Sequence, residues 1–486
     1  MSQFWNMYLQ ASGALFWIDL ILALFVIFAE RKKPTSTLLW VMVILAFPLF
    51  GFLFYLLLGV DLSKSKMFED KDQDSALVKA QSIERISLIN KGQYKYHDIK
   101  AYDYESLIKI LSNNSFSKYV EHNKVDIFYD GPSLKDDIIE ELKKAKNSIY
   151  IQFYIVKSGR FFNEIKEVLI EKAREGVEVR LLIDGMGGRQ LKKNDLKDLK
   201  EAGVEYGVFF PTKLGIFNIR INFRNHRKII VIDSKVGYLG GFNIGDEYIN
   251  KSTRFGFWRD THIKISGEAV NDLTDRFYLD YKFASGNGMG RYQTFCGDLG
   301  KDHVVAMNIV TSGPDHELEQ IRDGYSRMIS MAKNRIYIQT PYFIPDDGLF
   351  KDLRMAAYSG VDVRIMVPKK PDHPFVKSAS RSYLGELLKF GAKVYYYEEH
   401  GFLHSKVLLV DNFISTVGTA NFDIRSFSLN FEINAFIYDY GVNHNLAQQF
   451  EKDIEECEDY TIEMYFKRSI GEKGMESISR LLSPVL

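Results

Sequence analysis

The chain has 486 residues, too many for one ordinary hydrophobic core, and 46 % of them are apolar, enough to fill two or three. Lys and Arg (63) balance Asp and Glu (63), so no net field draws the protein toward nucleic acid, and an anionic ligand must be met by local charge. The two cysteines, Cys296 and Cys457, exclude a disulfide framework and a four-thiolate metal site.

The first sixty residues differ from the rest of the chain. Residues 1–29 contain one charged side chain, Asp19, and residues 34–60 contain none. Because about 20 apolar residues span a bilayer, both stretches are predicted as transmembrane helices. No basic region precedes the first stretch, and no small-residue cleavage site follows it, which disfavours a signal peptide. The basic connection at 30–33 indicates the cytoplasmic side, yet lysines also follow the second stretch, so the sidedness stays open.

An internal repeat follows a charged segment, 61–118, that is predicted as a juxtamembrane linker. Ala-Lys-Asn-Ser-Ile-Tyr-Ile-Gln at 145–152 recurs as Ala-Lys-Asn-Arg-Ile-Tyr-Ile-Gln at 332–339. Likewise, Gly-Val-Glu-Val-Arg at 176–180 recurs as Gly-Val-Asp-Val-Arg at 360–364. A repeat this long predicts a duplicated domain and not a solenoid.

Short apolar runs alternate with helical stretches within each half. Strands are predicted at Ile149–Val156, Val179–Ile183 and Ile229–Ile232, and helices at Leu134–Ala145 and Phe162–Arg174. This alternation predicts an α/β sandwich. The glycine-rich stretch 285–290 is predicted as the joint, which gives an anchor at 1–60, the linker, and domains at 119–290 and 291–486.

One template, His-x-Lys-x4-Asp-x6-Gly-x-x-Asn, occurs in both halves. Its copies are His226, Lys228, Asp233, Gly240 and Asn243, and His404, Lys406, Asp411, Gly418 and Asn421. If each fixed position is roughly a one-in-twenty event, one copy has odds of about 10⁻⁶ per start site. Two copies therefore predict an active site assembled from both halves.

The residue types of the template point to phosphoryl chemistry. Each histidine precedes an apolar strand, and the lysine two positions on shares its face. Paired lysines and asparagines can hold phosphate oxygens and stabilise transition-state charge. One histidine can attack phosphorus while the other protonates the departing alkoxide. Asp233 and Asp411 belong to the template, but their place at strand ends favours a structural role.

No metal or other cofactor is predicted. His400 lies four residues before His404, a spacing that pairs ligands on a helix, but this segment is predicted as strand and loop. No Asp-rich cluster stands nearby to hold magnesium.

The paired motif resembles that of the phospholipase D superfamily, and the whole layout, through Ser-Arg-Leu-Leu-Ser-Pro at 479–484, is similar to bacterial cardiolipin synthases. The resemblance implies duplicated α/β/α sandwich domains with pseudo-two-fold symmetry, preceded by two transmembrane helices in the bacterial plasma membrane. It implies a phosphatidyltransferase that converts two phosphatidylglycerol molecules into cardiolipin and glycerol without a cofactor. Its partners would be phosphatidylglycerol and anionic membrane lipid, not nucleic acid, and a homo-oligomer stays possible.

The resemblance also implies residue roles. His226 would form a phosphatidyl-histidine intermediate and His404 would act as general acid and then base, although the reverse order stays open. The non-bridging oxygens would be bound by Lys228, Lys406, Asn243 and Asn421. A carboxylate downstream of each motif would orient a histidine, and the matching positions are Asp260 and Glu432. The superfamily's Gly-Ser is Gly240-Gly241 in one copy and Gly418-Thr419 in the other, which argues against symmetric roles.

Other functions fit the sequence less well. A membrane-anchored phospholipase D that passes the phosphatidyl group to water is the nearest alternative. A phosphatidylserine synthase-like transferase would fit the two spans less well, and an inactive scaffold has no need for two complete residue sets. In the stretch 209–224, aromatic residues interleave with Lys and Arg, which predicts either a membrane-interface surface or a half-buried strand pair.

Overall fold

The computed structural model describes residues 17–28, 34–47, 50–55, 82–211, 223–251, 256–286, 304–370, 374–397 and 401–483. The chain divides into two compact units. The small unit comprises Met1–Asp70 and Thr212–Asn222, and the large unit comprises Lys71–Pro211 and Phe223–Leu486.

The described part of the small unit is helical, with helices at 17–28, Pro34–Ala46 and Phe50–Phe54. Its buried cluster consists of Ala23, Val26, Trp40, Ile44 and Tyr55. The rings of Trp40 and Tyr55 meet edge to face, with centroids 5.7 Å apart. Among the described helices, none combines the length and the hydropathy that a membrane crossing requires.

The strands of the large unit are numbered here in chain order. They are β1 (Tyr119–Val120), β2 (Asn123–Asp130), β3 (Ser148–Phe153), β4 (Glu178–Asp184), β5 (Glu205–Phe209), β6 (Arg224–Asn225), β7 (Ile229–Ile232), β8 (Val236–Gly240), β9 (Phe257–Gly267), β10 (Ala306–Ser312), β11 (Arg335–Gln339), β12 (Phe343–Ile344), β13 (Asp362–Pro368), β14 (Lys393–Tyr397), β15 (Gly401–Leu403), β16 (Val407–Val410), β17 (Ile414–Gly418), β18 (Phe422–Asp423), β19 (Asn430–Tyr438) and β20 (Cys457–Tyr460).

Helices connect and cover these strands. The α-helices are Ile83–Asn90, Glu105–Ser115, Gly131–Lys144, Arg160–Arg174, Lys193–Glu201, Ala269–Ser285, Gln320–Met331, Asp347–Tyr358, Pro374–Leu388, Ile424–Ser428, Tyr440–Ile454, Ile462–Phe466 and Ile470–Leu481. Short 3₁₀ turns lie at Ile99–Tyr104, Gly187–Gln190 and Asp246–Ile249.

Two large sheets of matching topology confirm the predicted duplication. The first has the order β15-β9-β8-β7-β3-β4-β5, with β2 also paired to β9. The second has the order β1-β10-β19-β17-β16-β11-β13-β14-β20, with β6 also paired to β19. In both, three parallel strands (β3, β4 and β5, or β11, β13 and β14) follow an antiparallel part. The equivalent strands come from the repeated sequences, so the two halves are two copies of one α/β domain.

Each half donates one short strand to the other half's sheet. β6 precedes the first motif and pairs in parallel with β19 of the second sheet. β15 precedes the second motif and pairs in parallel with β9 of the first sheet. This reciprocal exchange ties the two halves together at the motifs.

The described part of the predicted linker adds to the core of the second half. The helix Glu105–Ser115 buries Leu107, Ile108 and Leu111 completely against that core. The strand β1 then joins β10 at the edge of the second sheet. Residues 105–118, predicted as part of a linker, are therefore packed structure, and residues 119–120, predicted at the start of the first domain, lie in the sheet of the second half.

The stretch 209–224 does not present the predicted membrane-interface surface where it is described. Phe210 and Phe223 are buried, and the ring of Phe210 contacts Phe209, Phe283 and Phe431. These aromatics fill the core because their apolar area is removed from water there. Phe217 lies outside the described residues.

Candidate active site

The exchanged strands position the two motif histidines. The His226 amide donates to the Phe431 carbonyl at 2.9 Å, which continues the pairing of β6 with β19. The His404 amide donates to the Arg259 carbonyl at 2.8 Å, which continues the pairing of β15 with β9. Each histidine is therefore held by the sheet of the opposite half.

The two carboxylates pair with the histidines crosswise. His226 Nδ1 lies 3.0 Å from Oε2 of Glu432, and His404 Nδ1 lies 2.7 Å from Oδ2 of Asp260. Both carboxylates are fully buried, whereas each imidazole keeps 12 % of its side chain exposed. A carboxylate that accepts from Nδ1–H leaves the Nε2 lone pair available for chemistry. Each motif's histidine is thus oriented by the carboxylate that follows the other motif, because the strand exchange brings them together.

Burial disfavours the charged form of both imidazoles. It lowers the pKa of His226, although Glu432 opposes the shift. Burial and the neighbouring Lys406 ammonium lower the pKa of His404 to about 4. Lys406 Nζ lies 2.8 Å from His404 Nδ1. Lys228 Nζ instead donates to the His226 carbonyl and lies 5.8 Å from the centroid of the Tyr154 ring, so the two histidines have different electrostatic surroundings.

The two motif lysines are buried beside the histidines. Lys228 Nζ donates to the His226 carbonyl at 2.7 Å, and Lys406 Nζ donates to the His404 carbonyl. Burial lowers the pKa of Lys228 to about 7. The Lys406 charge also lowers this pKa, whereas the carboxylates of Glu432 and Asp260 oppose the shift. Two buried ammonium groups that repel one another form a site that an added anion stabilises.

The two motif asparagines differ. Asn243 Oδ1 accepts from the Ile155 amide at 3.1 Å, and its Nδ2 donates to the Tyr248 hydroxyl at 3.2 Å. Asn421 is also buried, but its Oδ1 has no hydrogen-bond partner among the described residues. The carboxamide nitrogen, the atom that could donate to a phosphate oxygen, has a partner in each asparagine, namely the Tyr248 hydroxyl for Asn243 and the Asp423 carboxylate for Asn421.

The two motif copies also differ at the residue after the motif glycine. Thr419 Oγ1 donates to Glu432 Oε2 at 2.6 Å, the oxygen that His226 contacts. At Gly241, an added Cβ would lie 2.0 Å from Asp260 Oδ1. The first copy has glycine because the Asp260 carboxylate occupies the space of a side chain. This contact explains the departure from Gly-Ser there.

Removing the Thr419 hydroxyl is expected to weaken the support that the Glu432 carboxylate gives to His226. Thr419→Val keeps the shape but takes a hydrogen-bond donor from the buried Glu432 carboxylate, which leaves that oxygen less well satisfied and weakens its support of His226. We expect kcat to fall about tenfold with KM nearly unchanged. Steady-state kinetics check this, and Thr419→Ser, which retains the donor, is the matched control. Equal kinetics for the Val and Ser variants would contradict the prediction.

Asp233 and Asp411 lie at the opposite ends of β7 and β16 from the histidines. Asp233 accepts from the Asn147 and Ser148 amides at 2.7 and 2.9 Å. Asp411 accepts from the Asn334 amide at 2.7 Å. Each carboxylate fixes the backbone that starts β3 or β11, and the structure does not bring either one to the histidines. Among the described residues, no group of three or more His, Cys, Asp and Glu side chains could hold a metal ion.

A buried Arg–Asp–Gln cluster supports the first histidine. Arg227 Nη1 lies 2.6 Å from Asp280 Oδ2, and Gln152 Nε2 donates to the same oxygen at 2.8 Å. Arg227 Nε also donates to the Glu432 carbonyl at 3.1 Å. Arg227 follows His226 in the chain, so this cluster fixes the backbone of both members of the His226–Glu432 pair.

The second half contains an equivalent cluster. Arg259 Nε lies 2.9 Å from Asp453 Oδ2, and Gln339 Nε2 donates to that oxygen at 2.6 Å. Arg259 precedes Asp260, and its carbonyl accepts the hydrogen bond from the His404 amide. These positioning residues were not predicted from the sequence. Their available signal was the glutamine that ends both copies of Ile-Tyr-Ile-Gln.

Two known protein families match the sequence of this chain. The family described as "Cardiolipin synthase, PLD-like domain" matches residues 138–270 and 325–454, the two halves that carry the motifs. The chain belongs to the cardiolipin synthases of the phospholipase D superfamily. As a member of this family, the chain is a phosphatidyltransferase. A second family, "Phospholipase_D-nuclease N-terminal", matches residues 17–59.

Curated relatives match nearly the whole chain. The chain is 46 % identical to the cardiolipin synthase of Oceanobacillus iheyensis, with 98 % of each chain covered. It is 44 % identical to the major cardiolipin synthase of Bacillus subtilis, covering 97 % of this chain and 98 % of that one. Among solved structures, phosphatidylserine synthase of Haemophilus influenzae superposes with a TM-score of 0.59 at 16 % identity, covering 78 % of this chain and 100 % of that one. This last similarity concerns the fold.

Proposed function

We propose that this cardiolipin synthase family member transfers a phosphatidyl group from one phosphatidylglycerol to a second, giving cardiolipin and glycerol. The carrying observation is the pair of crossed histidine–carboxylate contacts, which joins both motifs in one buried site. Such a site offers one histidine for attack and another for proton transfer. The names of the full-length relatives support the same reaction.

In the first step, His226 Nε2 attacks the phosphorus of the donor lipid. The bond between phosphorus and the glycerol headgroup oxygen breaks, and His404 donates a proton to that oxygen, so glycerol leaves. The donor's phosphate anion favours the protonated form that His404 needs, since an opposite charge nearby raises the pKa of a base. Glu432 stabilises the positive charge on the phosphatidyl-imidazole.

In the second step, a hydroxyl of another phosphatidylglycerol gives its proton to His404, and its oxygen attacks phosphorus. The bond from phosphorus to His226 Nε2 breaks, which regenerates both histidines. The two lysines and the two asparagines of the motifs would bind the non-bridging oxygens, namely Lys228, Lys406, Asn243 and Asn421. Exclusion of water from the site strengthens the electrostatic interactions of these groups with the phosphate and limits hydrolysis of the intermediate.

The amino-terminal segment is proposed to place this site at the membrane. We infer that residues 1–29 and 34–60 form two transmembrane helices in the bacterial plasma membrane, since each stretch has the composition of a span. The match of residues 17–59 to a family's amino-terminal segment supports a separate module there. The remaining chain would divide into the segment 61–118, whose helix Glu105–Ser115 packs on the second half, and two domains at 119–290 and 291–486.

A product assay tests the proposed reaction. Purified full-length protein in phosphatidylglycerol vesicles with a chelator should release glycerol and cardiolipin in equal amounts. Phosphatidic acid as the main product would establish the hydrolase alternative, in which water replaces the second lipid. Absence of turnover from phosphatidylglycerol would contradict both reactions.

Lys228 is expected to set an alkaline limit on activity. Burial lowers the pKa of Lys228 to about 7, so the free enzyme loses this ammonium charge as pH rises through that value. We therefore expect kcat/KM to lose a further tenfold or so per pH unit above it, in addition to the loss that deprotonation of His404 already causes, whereas the Lys228 effect on kcat comes only at higher pH because bound phosphate raises the lysine pKa. The pH profile of Lys228→Arg, which keeps its charge, should lack this added loss and retain that of His404. An added loss retained in that variant would contradict the assignment.

A further inference from the structure

The carboxyl-terminal helices expose several large apolar side chains. These residues, here the carboxyl-terminal apolar face, are Phe466, Ile470, Met475, Ile478 and Leu481. Ile470 is 89 % and Leu481 70 % exposed. At 100° per residue, the members from 470 to 481 fall within one arc of the helix Ile470–Leu481. Soluble monomers rarely leave an apolar patch of this kind in water.

The polar side of the same helix faces the protein. Glu476 and Ser479 are its buried residues. Arg381 of the helix Pro374–Leu388 lies 2.7 Å from Glu472 and 2.9 Å from Glu476. Arg480 pairs with Glu386 of that helix, and Arg468 pairs with Glu476. An ordinary surface helix packs its apolar side inward, so this helix is inverted and held in that orientation by ion pairs.

One end of the carboxyl-terminal apolar face points toward the end of the second sheet at which His404 precedes β16. The helix Pro374–Leu388 starts after β13, at the carboxyl ends of the parallel strands, where Gln339 of β11 lies opposite the first residue of β16. The two helices run in the same direction, since Arg381 pairs with Glu472 and Glu386 pairs with Arg480. Ile470 therefore lies at that end of the face. Phe375, in the first turn of the neighbouring helix, is also exposed.

We propose that the carboxyl-terminal apolar face inserts into the interfacial layer of an anionic phospholipid bilayer, as a second membrane contact. Exposed Lys467 and Lys473 lie beside this face and provide positive charge for acidic headgroups. An apolar arc flanked by lysines is the pattern of a helix that lies in a membrane interface. The inference rests on the proposed function in one respect, namely that the substrate is carried by this bilayer.

The position of the face is tested in the full-length protein in vesicles. Cys296 and Cys457 are replaced by Ser, and a single cysteine at Ile478→Cys carries an environment-sensitive fluorophore. In vesicles with phosphatidylglycerol, we expect a blue-shifted emission that acyl-chain spin-labelled lipid quenches. The matched control is Lys197→Cys, an exposed position on the helix Lys193–Glu201, which should stay unquenched.

Two outcomes overturn the proposal. If lipid does not quench the probe at 478 and a water-soluble quencher does, the face is in water. If the probe is shielded from both quenchers in a protein-concentration-dependent way, the face binds a second copy of the chain. Glu substitution of Lys467 and Lys473 should reduce lipid quenching in anionic vesicles, and an unchanged signal would remove the charge argument.

Activity provides an independent measurement. The triple variant Ile470→Ser, Ile478→Ser, Leu481→Ser should make cardiolipin about tenfold more slowly on phosphatidylglycerol vesicles, but within about twofold of wild type on short-chain monomeric phosphatidylglycerol. The control variant Ile99→Ser, Met355→Ser removes other exposed apolar side chains and should behave as wild type. Equal losses on both substrates, or none, would contradict the inference. Lack of cardiolipin in the wild type would instead contradict the proposed function, while the quenching result still stands.

Discussion

His226→Ala is expected to abolish cardiolipin formation, by about 10⁴-fold or more, since it removes the attacking atom and no other group can form the intermediate. His404→Ala should cost about 10³-fold or more, because both steps lose proton transfer at a poor alkoxide leaving group. The intermediate can be trapped by mixing wild type with phosphatidylglycerol and quenching in alkaline denaturant, where the N–P bond survives. Mass spectrometry should then find a phosphatidyl group on the peptide that contains His226.

The peptide assignment distinguishes the two orders of chemistry. An adduct on His404, absent in His404→Ala, would exchange the two roles without changing the reaction. Cardiolipin formation by His226→Ala at a rate near wild type would contradict attack by this residue. Unchanged thermal unfolding temperatures for both variants serve as the control for folding, since each imidazole is mostly buried.

Patterns local in sequence predicted the elements that local forces determine. β7 was predicted at Ile229–Ile232 and has these bounds, because four apolar residues between polar neighbours specify a buried strand. The helix predicted from Leu134 begins at Gly131, where Asp130 caps it by accepting from the Ser133 amide. The duplicated motif indicated that residues of the two halves meet, and the crossed histidine–carboxylate contacts show that they do.

The crossed pairing was not predictable from a single sequence. It depends on β6 and β15, strands of two and three residues that are too short for any periodic signal. The Phe210 side chain was open to two interpretations for a related reason. Aromatic residues suit both a membrane interface and a core, and only the packing against Phe283 and Phe431 decides between them.

The crossed pairing makes a prediction that an uncrossed site would not. Glu432→Gln and Asp260→Asn should each lower kcat about 10²-fold or more on phosphatidylglycerol, with KM little changed, because each removes the charge that orients and supports a histidine. Loss of activity alone does not identify the partner. Changing the leaving group of the substrate does identify which histidine each carboxylate supports. His404 is needed in the first step only when the departing oxygen must be protonated.

Phosphatidyl-p-nitrophenol therefore separates the two carboxylates. Its nitrophenolate leaves without a proton, so Asp260→Asn and His404→Ala should both give a rapid burst of about one nitrophenolate per enzyme and then stall at the second step. Glu432→Gln should lack the rapid burst, since its defect is in His226, the attacking group. Glu458→Gln, which changes an exposed carboxylate, is the control that should turn over normally.

If Asp260→Asn lost the burst and Glu432→Gln kept it, either the carboxylates would not act crosswise or His404 would be the nucleophile. The identity of the trapped peptide distinguishes these two cases. A burst in Asp260→Asn with the adduct on His226 is explained only by a carboxylate that acts on the histidine of the opposite half.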